Sequence, residues 1–173
     1  MMHSRHAIPA ALAILVSLLV PQASAAPLRA GPFTGMAGSW SGVGSLTMAN
    51  GAQERLRCRA RYDVGEAGRA MQLSLRCASD SYNFDLAGEV ESDGRAISGS
   101  WSEATRNAEG TVAGRVNGDR IEVVARGAVF SAGLSLVTRG NRQSVAIRPQ
   151  GTEISAVDVM LGKGQATTTG SAR

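Results

Sequence analysis

The chain has 173 residues, with 18 Lys and Arg against 14 Asp and Glu, a formal net charge of +4, and only 4% aromatic residues. A charge this small, with no aromatic side chains interleaved among the arginines, argues against a nucleic-acid partner. The only histidines are His3 and His6 and the only lysine is Lys163. A central fold therefore holds no imidazole and no amine, which excludes a Ser-His triad, a Cys-His pair, a Schiff-base lysine and histidine ligation of zinc or haem.

Residues 1–25 read as an export signal. Arg5 gives a positive start, Ile8 to Val20 is an apolar run shorter than a comfortable bilayer span, and Ala23-Ser24-Ala25 is a small-x-small cleavage site. The alternative is a retained membrane anchor. No second long apolar run follows, so the mature chain is expected to be soluble, without a transmembrane segment, and periplasmic or secreted from a bacterium. Residues 26–37 read as a linker, 38–161 as one domain, and 162–173, small and polar without a period, as a disordered tail.

From residue 38 onward the pattern is all-β. Period-two alternation is clearest in "ERLRCRARY" (54–62), where Leu56, Cys58, Ala60 and Tyr62 share one face and Arg55, Arg57, Arg59 and Arg61 the other. Turn pairs recur every eight to fourteen residues, among them Asn50-Gly51, Asp93-Gly94, Asn117-Gly118 and Gly140-Asn141. Two-residue loops require facing apolar positions of opposite parity. Around Ala67-Gly68 this pairs Tyr62 with Leu73, Ala60 with Leu75 and Cys58 with Cys77, close enough for a disulfide. An oxidising compartment also favours that bond.

The same rule pairs Leu86 with Trp101, Gly114 with Ile121, Val123 with Ala132, Leu136 with Val145, and Cys77 with Tyr82. The first hairpin breaks it, because Leu46 and Leu56 are both even, so that turn needs three residues (Asn50 to Ala52) or a bulge. The last strand, near Ile154 to Leu161, shifts parity partway. Serial hairpins of eight to ten strands predict a closed antiparallel up-and-down barrel, with a β-sandwich as the alternative. The alternating polar face argues against an outer-membrane barrel.

Both tryptophans stand in one frame, "GSWSG" at 38–42 and "GSWSE" at 99–103. Strands one and five run the same way, so the two frames read as related corners of the barrel or as coincidence. Gly38-Ser39-Trp40 at the opening of the first strand resembles the Gly-x-Trp signature of the calycin superfamily (lipocalins, fatty-acid-binding proteins and avidins). The resemblance implies a ligand-holding barrel. The chain departs from the fatty-acid-binding proteins, since residues 49–53 leave no room for a helical lid, and from the haem-binding calycins, which need a histidine. The stretches "GSWSGVGSLTMANG", "CRARYDV", "LRCASDSYNFDL", "GSWSEATRN" and "TRGNRQSVAIR" resemble those of small uncharacterised exported proteins of alphaproteobacteria, a likeness that implies no activity.

These readings give one expected function and one alternative. The first is a small apolar ligand held inside the barrel, lined by Trp40, Tyr62, Leu73, Tyr82, Phe84 and Trp101. Inward Gly42, Gly44, Gly99 and Gly114 would either leave room for it or let the strands bend. The second is a filled barrel that binds an envelope component or a protein through an outer anion patch of Arg55, Arg57, Arg59, Arg61 and Arg76, flanked by Ser45 and Thr47. That stripe also reads as a solvated face balanced by acids nearby. No cofactor, metal site or catalytic motif is expected; the enzymatic alternative is a carboxylate-based hydrolase on Glu103 and Asp85.

Overall fold

In a computed structural model the described residues are 30–164; the export-signal segment 1–25 and most of the 162–173 tail lie outside them. Ten antiparallel strands follow in chain order: β1 (Gly38–Met48), β2 (Gln53–Val64), β3 (Ala70–Ala78), β4 (Asn83–Asp93), β5 (Ala96–Glu103), β6 (Ala108–Asn117), β7 (Arg120–Gly127), β8 (Ser131–Arg139), β9 (Arg142–Gln150) and β10 (Ile154–Lys163). Each pairs with its neighbours in sequence, and β1 pairs with β10, which closes an up-and-down barrel. Closure satisfies both edges and excludes the sandwich.

Most of the strands alternate between buried and exposed residues. β2 shows this most plainly: Leu56, Cys58, Ala60 and Tyr62 are buried, and Arg55, Arg57, Arg59 and Arg61, each one residue before them, are exposed. Its pairing with β3 sets Tyr62 opposite Leu73, Ala60 opposite Leu75 and Cys58 opposite Cys77, as the parity rule requires. The β8–β9 pairs Leu136 with Val145 and Leu134 with Ile147 also follow it.

Four other hairpins keep the predicted faces but slide by one residue in the loop. Trp101 faces Gly88, and Leu86 faces Glu103. Gly114 faces Val123, Ala125 faces Ala132, and Cys77 faces Phe84. The cause is visible at Gly94 and Gly118, with φ of 62° and 64°. Each glycine is the first loop residue, the position where a type II′ turn needs positive φ. Asp93 and Asn117 therefore stay in the ladder, opposite Ala96 and Arg120.

The two irregular places resolve simply. The first hairpin has a three-residue loop, closed by Met48 N–H donating to Ala52 O, one residue earlier than expected. In β10 the register slips between Thr47, opposite Ala156, and Met48, opposite Ile154. Ser155 is the extra residue of this bulge, and its Oγ donates to Thr47 O and Met48 O. That bulge is the parity shift seen in the sequence.

The inward glycines bend the wall. A Cβ on Gly42 would overlap Met160 O, on Gly44 Asp158 O, on Gly99 Glu89 O and on Gly114 Glu122 O. Each of these strands approaches its neighbour's backbone too closely for any side chain, as the corners of a barrel demand.

Candidate functional site

The barrel has two unlike ends. One carries the loops after β2, β4, β6 and β8, and this end is closed. Residues 30–37, the described part of the segment read as a linker, run back across it. Gly31 N–H donates to Ala67 O and Phe33 N–H to Gly68 O, and a 3-10 turn forms at Thr34–Met36. Phe33, Met36 and Trp40 are fully buried there. Trp40 Nε1 donates to Met36 O at 2.7 Å, and its ring meets Tyr62 edge-on at 6.3 Å. Tyr62 Oη donates to Gln143 Oε1 at 2.6 Å. Burial pushes the Tyr62 phenol above its ordinary range, against a smaller opposing effect of that bond. Lys163, at the end of β10 and not in a tail, places Nζ 5.6 Å from the Trp40 ring and donates to Gly35 O.

The opposite end carries the loops after β1, β3, β5, β7 and β9. Its rim holds Tyr82 and Phe84, stacked at 6.4 Å and nearly parallel, with the Arg106 guanidinium 5.0 Å from the Phe84 ring. Glu103 organises this side. Its oxygens accept from Asp85 N–H at 3.0 Å, Thr105 N–H at 3.2 Å, the Thr105 hydroxyl and Arg106 N–H at 2.9 Å. Burial pushes its carboxyl up, but these donors together outweigh burial and hold it below the usual range. Across the rim Phe130 covers Trp101, ring centroids 5.2 Å apart.

Between the ends the inner wall is almost wholly apolar, and its packing is uneven. On β1, β2 and β10 the inward side chains Leu46, Leu56, Val157 and Val159 are buried. On β3, β4, β6, β7 and β8 the inward side chains Leu75, Val90, Val112, Val123, Leu134 and Leu136 are only half-buried, whereas Ile97 of β5 and Val145 of β9 are buried. The shallow hollows on the outer wall are different places. One lies among Ala113, Val124, Gly133 and Ala146, the other among Ala87, Ser100, Ser102 and Thr111, where small outward residues leave the sheet surface bare.

The six expected lining residues thus fall into separate groups. Trp40 and Tyr62 belong to the closed end, each with its polar atom satisfied. Leu73, opposite Tyr62 and Gly88, is on the half-buried wall. Tyr82 and Phe84 stand at the opposite rim. Trp101 is 8% exposed and lies across Gly110 and Gly127, where a Cβ would press on its ring. The two Gly-Ser-Trp frames sit at opposite ends of the barrel, not at related corners. Gly38 is glycine for its φ of 113°, Gly99 for close backbone approach. Lining positions such as Val112 and Leu134 are readable from parity; the Glu103 network is not, since its partners are mostly backbone groups of the 104–107 loop and of β4, with the side chains of Thr105 and Arg106.

The two acids considered for catalysis do not share a site. Glu103 is inward and saturated with donors, while Asp85 points outward and pairs with Arg76 at 3.0 Å. Replacing Glu103 by Gln turns an acceptor toward-donor contact into a clash of donors, and should cost about 2 kcal/mol, read as a lower denaturation midpoint. The depressed carboxyl contributes stability above its unfolded pKa and loses it as pH falls through the folded value. Wild type should therefore lose part of its advantage over Glu103→Gln on acidification.

The described residues form a closed, ten-stranded antiparallel up-and-down barrel with one end sealed by an N-terminal turn and Trp40. Two solved structures share this fold. Rv2717c from M. tuberculosis matches with a TM-score of 0.64 at 12% identity, over 81% of this chain and 99% of that one. The S-type phycobiliprotein lyase CPES from Guillardia theta matches with a TM-score of 0.58 at 10% identity, over 78% and 92%. At such identities the likeness establishes the fold alone. No protein-family model matches the chain, and no curated protein does.

Proposed function

We infer that this barrel carries a small hydrophobic molecule in its interior, entered from the end rimmed by Tyr82 and Phe84. The observation that carries the reading is the contrast between inner walls. Inward Leu75, Val90, Val112, Val123, Leu134 and Leu136 keep accessible surface, while Leu46, Leu56, Val157 and Val159 on β1, β2 and β10 do not. A ten-stranded barrel is also wider than one that side chains alone fill readily. Apolar walls with few polar groups suit a ligand bound mainly by burial. The disulfide supports a periplasmic or secreted setting.

Native mass spectrometry of the full chain purified from its own host should show a bound mass above that of the polypeptide. In the same protein, 1-anilinonaphthalene-8-sulfonate should bind. Val112→Phe, which fills the inner wall, should weaken that probe by roughly tenfold. Val124→Ser, on the outer hollow, should leave it unchanged. Loss of the probe in Val124→Ser but not in Val112→Phe would place binding outside and reject the reading.

A further inference from the structure

On the outer wall, strands β2, β1 and β10 lie side by side in a register that gathers unlike groups. Arg57 stands opposite Val43, and Val43 opposite Met160. These two apolar side chains are exposed, Val43 at 45% and Met160 at 57%. The next row toward the closed end holds Arg76, Arg59, Ser41, Gly162 and Arg142. The next row toward the opposite end holds Arg55, Ser45 and Asp158.

The acids nearby are already engaged. Asp85 pairs with Arg76, Asp63 with Arg61, and Asp158 with Arg148. Among the described residues Arg55, Arg57, Arg59 and Arg142 have no carboxylate within salt-bridge distance. The paired acids compensate Arg61, Arg76 and Arg148 and leave the other four guanidinium groups uncompensated around an exposed methionine and valine. Free guanidinium groups around two protruding apolar side chains match a surface that offers phosphates beside hydrocarbon.

We propose that the β2–β1–β10 face docks the protein on an anionic lipid bilayer, with Arg55, Arg57, Arg59 and Arg142 on lipid phosphates and Val43 and Met160 at the headgroup–acyl boundary. The cluster meets the charge of an anionic leaflet. The apolar pair selects a bilayer over a soluble polyanion, which presents no hydrocarbon. This inference does not depend on what the barrel holds.

The test is co-sedimentation of the full chain with vesicles at low and high ionic strength. Binding to phosphatidylglycerol-containing vesicles and not to pure phosphatidylcholine, weakened by salt, is the expected result. Arg57→Ser with Arg59→Ser should lower partitioning roughly 30-fold, from about fivefold per arginine. Val43→Ser with Met160→Ser should lower it roughly tenfold. All four positions face solvent, and an unchanged far-UV spectrum confirms that the variants fold. Equal binding to neutral vesicles, no binding to anionic ones, or arginine variants that sediment like the parent would each overturn the proposal. So would valine and methionine variants that bind unchanged, or retention on an acidic polysaccharide without vesicle binding.

Discussion

Trp40→Ala is expected to lower the stability of the barrel by about 4 kcal/mol, within the range for deleting a buried tryptophan. Trp40 is 2% exposed and contacts the closing turn, the barrel wall and the last strand together. Truncation removes the ring from beneath Phe33 and Met36, strands the Met36 carbonyl, and leaves Tyr62 facing a void. Trp40→Phe keeps an aromatic plug but not the donor, so its loss should be nearer 2 kcal/mol. Denaturant titrations read both, with the slope unchanged if the unfolded ensemble is the same. The remaining fluorophore, Trp101, lies at the other end under Phe130 and reports whether that end holds when the plug goes. A Trp40→Ala loss under 1 kcal/mol would mean that residues 30–37 do not seal the barrel.

This seal shows what could and could not be read from the chain. Parity is a two-state property, so one strong strand such as β2 propagates the correct inward set to its partners. The inward faces survived even where loops slid by one residue, because that slide moves the register by two and returns each side chain to the same face. Which glycine opens a loop depends on φ, and Asp-Gly or Asn-Gly serves more than one turn type. Hence the parity rule pairs Trp101 with Leu86, where the structure pairs it with Gly88. The plug was invisible for another reason. Phe33 and Met36 lie in a short segment without a period, and their burial follows from the segment turning back over the barrel mouth. The same holds for Gln143, whose value lies in reaching Tyr62 across 81 residues of sequence. Inner accessibility was beyond reach, since residue type says that Val112 points inward but not whether anything stands opposite it.

The disulfide tests the register on which both faces depend. Cys58 and Cys77 are bonded, their Cα atoms 4.1 Å apart and 19 residues apart in sequence. Closing a loop of that length removes unfolded-state entropy worth about 3 kcal/mol. Cys58→Ala with Cys77→Ala should therefore lower the melting temperature by roughly 6–12 °C, with the strand content unchanged. Both residues are buried inside the wall, so the double variant also loses some packing. Chemically reduced wild type keeps the sulfur atoms and loses only the cross-link, and the gap between the two separates packing from loop closure. Because the sulfurs lie on the inner face, a reductant reaches them only when β2 and β3 part. Reduction under native conditions should then track unfolding, slowing as stability rises. Fast reduction of the fully folded protein would put the bond on the outer face. That would move Arg57 and Arg59 to the inside, against the alternation of every strand that pairs with β2.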